Sequence, residues 1–380
     1  MPGKMLRSRY ASVAELLQEY QPAMPVYCIH PAKYRAVARQ FVDAFPGRVL
    51  YAVKANDHPG VIAALHQGGV RHFDCASLAE VARVKSACDE ARCYFMVPTR
   101  LRGAAASAQR DYDVRHFLLD HISGVQPLVD EIDAPASVIF ARMAVSHSAA
   151  KQNLSAKFGA PPAAMPELLT AIRHTGAEPA IACNVGSSVT DPAAYEHAIQ
   201  SLATILRALP FKVRLADIGG GFPQSYPGFP APPVDTFIDT IRKTAQQLPL
   251  ADDGELMIEP GRSLAATGLS AVVEVLLRKD DRLYLNDGMY GIFWELRFGL
   301  HDRYPVACYR EGERLESETK AFQLYGPTCD ATDMLPGRVE LPADIRPGDH
   351  IEFSCIGAYS LTGRTNFNGH FSDQVVTIES

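Results

Sequence analysis

The sequence lacks most of the patterns that assign a chain to a specialised class of protein. Its eight cysteines form no C-x-x-C pair and its twelve histidines form no H-E-x-x-H motif, so we expect reduced thiols and no structural zinc. No stretch approaches the ~18 consecutive apolar residues of a membrane span, and no apolar core follows the basic N-terminus. With a net charge of −6 and no block of like charges, the chain offers no basic surface for nucleic acid. We therefore expect a cytoplasmic protein that acts on small molecules, without nucleic-acid or membrane partners.

A regular alternation of strands and helices fills most of the chain. It has 380 residues, 47% of them hydrophobic and 21% charged, which is typical of a soluble globular protein of two domains. Short apolar strands, each followed by a helical stretch, are predicted at 48–53, 71–74, 93–97, 114–118, 137–143, 180–185, 212–217 and 255–259. Eight such units over about 210 residues favour a closed (β/α)8 barrel over an open doubly wound sheet.

The pattern changes after Arg262, where strands are separated by turns and show little helical periodicity. These strands are predicted at 270–279, 282–286, 305–309, 319–325, 350–355 and 374–379, and they indicate a second, all-β domain. We expect the barrel domain to cover residues 26–265 and the β domain to combine residues 1–25 with 266–380. The proline-rich segments 161–166 and 225–233 are too short to link domains and are predicted to be loops on the barrel.

The first barrel strand ends on a lysine, Lys54. Turn-forming residues at 56–60 stop the strand directly afterwards. The carboxyl ends of strands face the ligand crevice in α/β proteins, and a desolvated lysine there can lose its proton and form a Schiff base with an aldehyde cofactor. A lysine in this position is more often a solvated surface residue, so the functional interpretation depends on its neighbours.

Polar residues and glycines accumulate at the carboxyl ends of the other predicted strands. They are Asp74, Arg142, Asn184, Ser187, the segment Asp217 to Gly221, and the segment Glu259 to Arg262. Each has a plain structural explanation, such as a helix cap, a turn or a surface charge. Because the carboxyl ends of barrel strands form one face, however, their coincidence indicates one site.

The last two strands end in groups that suit a phosphate and a ring nitrogen. Gly219, Gly220 and Gly221 after the seventh strand, and Gly261-Arg262 after the eighth, lie where barrels commonly bind phosphate through unhindered backbone N–H groups. A carboxylate such as Glu259 can keep a pyridine nitrogen protonated and so make the ring a strong electron sink. Lysine, phosphate cradle and carboxylate together indicate pyridoxal 5′-phosphate.

At this point the sequence resembles the fold-type III pyridoxal-phosphate decarboxylases, the family of ornithine, diaminopimelate and carboxynorspermidine decarboxylases. The resemblance runs from about Val26 to Phe371, and Cys329-Asp330 matches the ornithine decarboxylase branch. The motifs that carry it are YAVKAN (51–56), FDCAS (73–77), KFG (157–159), DIGGGFP (217–223), EPGRS (259–263), NDGMYG (286–291), GPTCDATD (326–333), GAYS (357–360) and FNG (367–369). The fold it implies is an alanine racemase-like (β/α)8 barrel with a C-terminal β-sandwich or β-barrel domain.

The resemblance also implies a role for each matching residue. Lys54 would be the Schiff-base lysine, Glu259 the partner of the pyridine nitrogen, and Cys329 the proton donor to the carbon that has lost carbon dioxide. The cofactor-binding residues would be Lys54, Asp74, Arg142, Asn184, Ser187, Gly219, Gly220, Gly221, Glu259, Gly261, Arg262 and Tyr359, and the substrate-binding positions would be Asp330, Gly299 and Phe367.

A homodimer with shared active sites follows from the same resemblance. In the family, the segment that carries Cys329 and Asp330 enters the active site of the other subunit, and the positions of Lys157 and Asp333 pair across that boundary. The functional unit should therefore be a twofold dimer.

Two positions depart from the family pattern. Asn184 stands where the family has a histidine that stacks on the cofactor ring. Gly299, twelve positions after Asp287, stands where ornithine decarboxylases have an acidic residue that binds the distal amine of the substrate.

We therefore expect a pyridoxal-phosphate α-decarboxylase of an L-amino acid with a distal amino group, resembling ornithine or lysine or an N-substituted derivative. Three alternatives stay open. The first is an ordinary ornithine decarboxylase of polyamine synthesis. The second is an amino-acid racemase of the same fold, although racemases of this fold tend to place an arginine, rather than a carboxylate such as Glu259, at the pyridine nitrogen. The third is a non-catalytic relative, which retention of Lys54, Glu259, Arg262 and Cys329 disfavours.

Overall fold

The computed structural model describes residues 6–145, 148, 150–152 and 154–379. The chain divides into two compact units. The barrel unit consists of Val37–Pro223 and Ala231–Arg262, and the sheet unit consists of the described residues up to Ala36, Gln224–Pro230 and the residues from Ser263 onward. Among the described helices, none combines the length and apolarity that crossing a bilayer requires.

The first twelve strands along the chain are β1 (Arg9–Tyr10), β2 (Val26–Ile29), β3 (Arg48–Ala52), β4 (His72–Cys75), β5 (Arg92–Phe95), β6 (His116–Leu119), β7 (Val138–Met143), β8 (Ala150–Gln152), β9 (Glu178–Cys183), β10 (Ser187–Val189), β11 (Leu215–Asp217) and β12 (Glu255–Ile258). The later strands are β13 (Leu269–Lys279), β14 (Arg282–Leu285), β15 (Val306–Arg310), β16 (Glu313–Arg314), β17 (Thr319–Tyr325), β18 (Val339–Pro342), β19 (His350–Phe353) and β20 (Val375–Ile378).

The α-helices are α1 (Val13–Glu19), α2 (Pro31–Ala44), α3 (Pro59–Gln67), α4 (Leu78–Ala87), α5 (Ala104–Tyr112), α6 (Val125–Val129), α7 (Met165–His174), α8 (Ala193–Arg207), α9 (Val234–Ala245) and α10 (Arg262–Ala265). Helix α4 shows how local sequence sets an end, because the Ser77 hydroxyl accepts a hydrogen bond from the Glu80 N–H at 3.1 Å. The Glu80 carboxylate accepts one in return from the Ala76 N–H at 2.6 Å, so both flanks of the first turn are capped.

Eight parallel strands close the barrel in the order β3, β4, β5, β6, β7, β9, β11 and β12, with β12 pairing back to β3. The prediction of a (β/α)8 barrel is confirmed, with all eight strands at the expected places. Side chains from these strands fill the interior, since alternate residues of a barrel strand point inward. This core consists of Leu50, Tyr94, Met96, Leu118, Val138, Phe140, Ala180, Ala182, Leu215 and Met257.

The sheet unit is built on one ten-stranded mixed sheet, which confirms the second, β-rich domain. Its main path runs β1, β20, β2, β13, β14, β17, β18, and β19 joins it through β13 and carries β15 and then β16. Strand β2 lies here, antiparallel to β13 and parallel to β20, although the expected division placed residue 26 in the barrel domain. Its apolar sequence is buried throughout and fits either kind of sheet. Only its pairing with β13, about 240 residues later, and with β20, about 350 residues later, decides its place.

The proline-rich segment after β11 also differs from its prediction as a barrel loop. Residues 224–230 group with the sheet unit, where Tyr226 and Phe229 form an antiparallel bridge. The ring of Tyr226 lies 3.7 Å from that of buried His301 and 5.8 Å from that of Tyr304. Aromatic packing of this kind, which the proline content does not reveal, holds the segment in the sheet unit.

Candidate active site

Lys54 lies next to a buried carboxylate at the end of the neighbouring strand. The register pairs Ala52 with Asp74, and a short 3-10 turn over Val53–Ala55 then brings the Lys54 ammonium to 3.5 Å from Asp74 Oδ2. The Lys54 side chain is 47% exposed, whereas Asp74 is buried. Burial raises the pKa of Asp74, and the nearby Lys54 ammonium opposes that shift. The lysine is therefore both oriented and accessible to a ligand.

Two carboxyl groups, those of Asp217 and Glu259, meet at the ends of β11 and β12. Asp217 pairs with Met257 in the sheet register, and its Oδ1 accepts a hydrogen bond from the Gly219 N–H at 2.8 Å. Asp217 Oδ2 has no hydrogen-bond partner among the described residues, and the carboxyl group of Glu259 is a neighbour that acts on Asp217. Two buried carboxyl groups this close do not both ionise readily, so the pair favours a state with one proton.

The pKa values of this pair show where that proton resides. Burial raises the pKa of Asp217 to about 6, although the Gly219 N–H and the Glu259 carboxyl group both act to lower it. Burial raises the pKa of Glu259 well above its usual value, and the negative charges of Asp217 and Asp74 add to that effect. Glu259 is therefore the protonated member and Asp217 the acceptor. Sequence analysis singled out Glu259 alone, because nothing in the strand pattern indicates which residue faces it.

The loop Gly219–Gly221 lies directly on the ends of the adjacent strands. Gly219 and Gly221 have φ angles of +81° and +102°, which residues other than glycine rarely adopt. A Cβ atom at Gly219 would lie 2.4 Å from the Cys183 carbonyl oxygen, and one at Gly220 would lie 2.5 Å from the Glu259 carbonyl oxygen. The three glycines therefore keep this rim free of side chains, which leaves the backbone open to an anion.

The other barrel residues in the predicted site also follow strand ends, but Asn184 has a local role. Its Oδ1 accepts a hydrogen bond from the Gly186 N–H at 3.0 Å, so the side chain is directed at its own turn. Arg142, on β7, lies 5.8 Å from the Phe158 ring and lowers the pKa of Asp74 as a minor contribution after the larger effects of burial and Lys54. Ser187 begins β10, Gly261 follows β12, and buried Arg262 begins α10.

Tyr290, to which the sequence assigned no role, contacts Asp330 and Phe367, two of the residues predicted to bind the substrate. The Tyr290 hydroxyl donates a hydrogen bond to the Asp330 carboxylate, and its ring stacks on Phe367 with centroids 4.4 Å apart. Cys329 is exposed, and its N–H and thiol lie 3.1 and 3.3 Å from Asn368 Oδ1. We call Tyr290, Cys329, Asp330, Phe367 and Asn368 the Tyr290 cluster. Tyr290 belongs to the NDGMYG motif, so the motif included this residue although no role was assigned to it.

Three further positions in the sheet unit have distinct environments. Gly299 ends a 3-10 turn in a left-handed conformation with φ +62°, and a Cβ atom there would meet nothing within 4 Å. Tyr359 is also left-handed, with φ +56°. Asp333 is buried, and its carboxylate accepts hydrogen bonds from the Met289 N–H at 2.7 Å and from the Thr328 N–H and hydroxyl at 3.1 and 2.7 Å.

Asp333 already accepts three hydrogen bonds inside its own unit. The pairing of Lys157 with Asp333 of another subunit stays a prediction, since a carboxylate has about four acceptor sites. Lys157 is exposed, and its ammonium lies 4.7 Å from the Phe158 ring centroid. We therefore assign Asp333 to the folding of the 326–333 loop.

Two family models cover most of the chain. The pyridoxal-dependent decarboxylase, pyridoxal binding domain, matches residues 31–266, and the pyridoxal-dependent decarboxylase, C-terminal sheet domain, matches residues 266–357. The chain belongs to the pyridoxal-dependent decarboxylase family. It is thus an enzyme of amino-acid decarboxylation that uses pyridoxal phosphate, and the resemblance inferred from the motifs is confirmed.

Individual relatives of this decarboxylase agree with the family models. It is 30% identical to a lysine/ornithine decarboxylase of Selenomonas ruminantium, in an alignment that covers 87% of this chain and 83% of the relative. It is 31% identical to an ornithine decarboxylase of Caenorhabditis elegans, over 84% of this chain and 78% of the relative. A crystal structure of lysine/ornithine decarboxylase from Vibrio vulnificus, complexed with putrescine, superimposes with a TM-score of 0.80 at 26% identity, over 93% of this chain and 94% of that chain.

The barrel rim of this decarboxylase fits pyridoxal phosphate. The glycine loop carries no side chain that could shield its backbone N–H groups from a phosphate. The Lys54 amine is accessible to an aldehyde, and the carboxyl group of Glu259, which lies within electrostatic range of Lys54 and Asp74, can form a hydrogen bond with a pyridine nitrogen. Three separate observations therefore match the three functional groups of the cofactor.

Proposed function

We propose that this enzyme removes the α-carboxylate of an L-amino acid whose distal amino group carries a substituent, and releases carbon dioxide and the corresponding amine. The observation that carries the proposal is Gly299. When bound, pyridoxal phosphate supplies an aldehyde that takes up the substrate's amino group and a ring that withdraws electrons from the bond to the carboxylate. The remaining steps belong to side chains of this chain.

In the barrel unit, we assign Lys54 to covalent attachment of the cofactor and Glu259 to its ring nitrogen. Asp74, 3.5 Å from Lys54, orients the amine. We assign Asp217 to keeping Glu259 protonated, because its negative charge raises the pKa of Glu259. Ser187, the glycine loop, Gly261 and Arg262 are assigned to the phosphate.

In the sheet unit, we assign Cys329 to the delivery of a proton to the α-carbon after carbon dioxide leaves. A general acid must be positioned within hydrogen-bond reach of the atom it protonates. The exposed Cys329 thiol is held on one side by Asn368, 3.3 Å away. That contact fixes the direction of the S–H group while leaving it accessible to a ligand.

We further propose that the Tyr290 cluster acts in the site of a second copy of this chain, within a homodimer. An apolar groove lies beside Cys329 and Asp330, and its lining includes Leu276, Leu277 and Tyr325. Leu276 and Leu277 are 47% and 42% exposed, which is unusual for large side chains on a contiguous surface unless another protein covers them. An isologous contact through this groove would bury the leucines and bring two such clusters into two sites.

The environment of Gly299 and Asp330 is the basis for a substituted distal nitrogen. An ammonium ion removed from water requires carboxylate partners, because leaving it without them costs several kcal/mol. Gly299 supplies no side chain, and the space beyond its Cα is open. The Asp330 carboxylate already accepts hydrogen bonds from the Tyr290 hydroxyl and, at 2.7 Å, from the Thr332 N–H. A neutral or anionic substituent in place of the ammonium removes this cost and fills the open space.

Free ornithine is the second candidate substrate. It is favoured by Asp330, which is retained, and by the names of relatives at 30% and 31% identity. We would compare carbon dioxide release from free diamino acids of increasing chain length with release from their distally N-acylated derivatives. We expect the acylated compounds to be preferred. A kcat/KM on free ornithine at or above the ~10⁴ M⁻¹s⁻¹ at the low end for ordinary enzymes would instead establish an ornithine decarboxylase.

A further inference from the structure

We propose that Arg297 is a specificity-determining residue that binds a carboxylate at the distal end of the substrate. This inference rests on the proposed function and goes beyond it, because it specifies the charge of the distal substituent. The proposal rests on the position of the guanidinium group, on its lack of an acidic partner among the described residues and on its contact with the Tyr290 cluster.

The guanidinium group of Arg297 is held by three contacts. Its Cζ atom lies 4.3 Å from the ring centroid of Tyr290 and 5.0 Å from that of Trp294. Its Nε donates a hydrogen bond to the Met289 carbonyl oxygen at 2.9 Å. Because these contacts restrict the plane and direction of the group, little conformational entropy remains to be lost when an anion binds.

Arg297 forms no ion pair with any residue in the described part of the chain, whereas its neighbour Arg303 does. Arg303 donates from both Nε and Nη2 to the carboxylate of Asp302, at 3.1 Å each. Of the nitrogen donors of Arg297, only Nε has a hydrogen-bond partner among the described residues, the Met289 carbonyl oxygen, and the side chain is exposed. The two terminal nitrogens of Arg297 therefore present a fork of the kind that binds carboxylates in a bidentate manner.

The contact with Tyr290 places this fork beside the residues assigned to the substrate. The same Tyr290 ring stacks on Phe367, and the hydroxyl of that ring donates to Asp330. The hydrogen bond from Tyr290 is the main cause that lowers the pKa of Asp330, and the positive charge of Arg297 adds to it. Arg297 is therefore close enough to Asp330 to repel an ammonium ion bound there and to attract a carboxylate.

The local chain geometry leaves room for such a group. Gly299 follows two residues after Arg297, and the space around its Cα is free. An acidic residue at this place would neutralise the guanidinium group instead of leaving it for a ligand. The combination of a fixed arginine and a missing acid selects for negative charge at the end of the substrate.

The test uses paired substrates that differ only in this charge. For diaminopropionate, diaminobutyrate, ornithine and lysine, the holoenzyme would be assayed for carbon dioxide release from the distally N-acetylated and N-succinylated forms, and from diaminopimelate, whose second carboxylate is on carbon. At the best chain length, kcat/KM should favour the succinyl over the acetyl compound by about 10- to 100-fold. Hydrogen bonds to a charged group typically strengthen binding by this factor.

Variants at two arginines separate a specific role from a general one. Arg297→Gln should lower the ratio of kcat/KM on the succinyl compound to that on the acetyl compound to about one, and this ratio is the readout whatever the rate on the acetyl compound alone. Arg297→Lys should restore part of the preference, because lysine keeps the charge without the fork. Arg303→Gln, which removes an arginine already paired with Asp302, should leave the preference intact. Calorimetric binding of the succinylated product amine should weaken in parallel in Arg297→Gln.

Each contrary result has its own meaning. Equal rates on the two acyl compounds, or a succinyl preference that survives in Arg297→Gln, would overturn the role of Arg297 and leave the substituted substrate standing. Activity on free diamino acids alone would overturn the proposed function itself. A preference for diaminopimelate that disappears in Arg297→Gln would support carboxylate binding by Arg297 and overturn substitution on nitrogen.

Discussion

The carboxyl groups of Asp217 and Glu259 lie close together at the ends of the paired barrel strands β11 and β12, where burial raises the pKa of both. Two negative charges at close range would be costly in this environment, so the pair favours a state that retains a proton. The charges of Asp217 and Asp74 add to the effect of burial on Glu259, which makes Glu259 the protonated member. The relationship has consequences for folding that can be measured without cofactor or substrate.

The Asp217 carboxyl group should make stability depend on pH. Burial raises its pKa to about 6, so its contribution to the folded state is complete below about pH 4, the ordinary range of aspartate, and is lost as the pH rises through about 6. In Asp217→Asn the free energy of unfolding should fall less between pH 5 and pH 8, by about 1.4 kcal/mol. Chemical denaturation of the cofactor-free protein measures this. Asp235→Asn, at an exposed carboxylate on α9, is the control, and an unchanged slope in Asp217→Asn would contradict the raised pKa of Asp217.

Covalent attachment of pyridoxal phosphate should occur at Lys54. Treatment of the holoenzyme with borohydride should fix the cofactor to the peptide that contains this residue, and mass spectrometry would locate it. Lys54→Ala should retain no label, because no other amine lies at the end of β3 beside Asp74 among the described residues. Lys212→Ala removes an exposed lysine that pairs with Asp252 and should label normally. A label on any other lysine would show the assignment to be wrong.

Loss of the Cys329 thiol should slow the formation of the amine product and increase the share of aldehyde by-product. Removing a general acid typically costs about 10²- to 10⁴-fold in rate, and a proton delivered to the cofactor instead of the α-carbon leads, after hydrolysis, to the aldehyde and an aminated cofactor. Cys329→Ala should show both effects in chromatography of the products. Asn368→Gly keeps the left-handed backbone at φ +54° but removes the contact with the thiol, so an intermediate effect is expected. Cys88→Ala is the control, and clean amine formation at the wild-type rate by Cys329→Ala would remove the thiol from the reaction.

A shared site predicts complementation between inactive variants. If Cys329 acts in the site of the second subunit, mixing Lys54→Ala with Cys329→Ala should restore about a quarter of wild-type activity, since half of the random dimers are mixed and each of those has one intact site of two. Light scattering would confirm the dimer, and subunit exchange would be followed with a fluorescent label. Activity that stays absent after exchange is complete would argue that each site is built from one chain.

An acidic side chain at position 299 should shift specificity toward free diamino acids. Aspartate tolerates the left-handed conformation of Gly299 better than most residues, and the added Cβ atom meets no neighbour within 4 Å. Gly299→Asp should therefore fold, raise kcat/KM on ornithine or lysine by about 10- to 100-fold, and lower it on acylated substrates. Gly299→Asn has nearly the same shape without the charge and should not raise activity on ornithine. Equal gains in the two variants would show that shape rather than charge controls this pocket.

The sequence by itself determined the barrel and the position of its principal residues. Each barrel strand is a short apolar run that a turn or helix ends, so periodicity locates Lys54, the glycine loop and Glu259 at strand ends without knowledge of their neighbours. The three glycines are equally local, because positive φ angles and close backbone contacts require them. Family motifs then supplied roles for Cys329 and Asp330 that no periodicity could provide.

The tertiary structure alone decided which residues meet. Strand β2 is apolar enough for either sheet, and its place depends on pairing with β13. The contact of Asp217 with Glu259, the enclosure of Asp333, and the position of Tyr290 between Arg297, Phe367 and Asp330 join residues from different elements. Local pattern specifies which face of an element is apolar, whereas the partner of a polar side chain is fixed by strand register and packing across the fold. For that reason the sequence could identify a missing acid at Gly299, and only the folded chain could show the unpaired arginine beside the Tyr290 cluster.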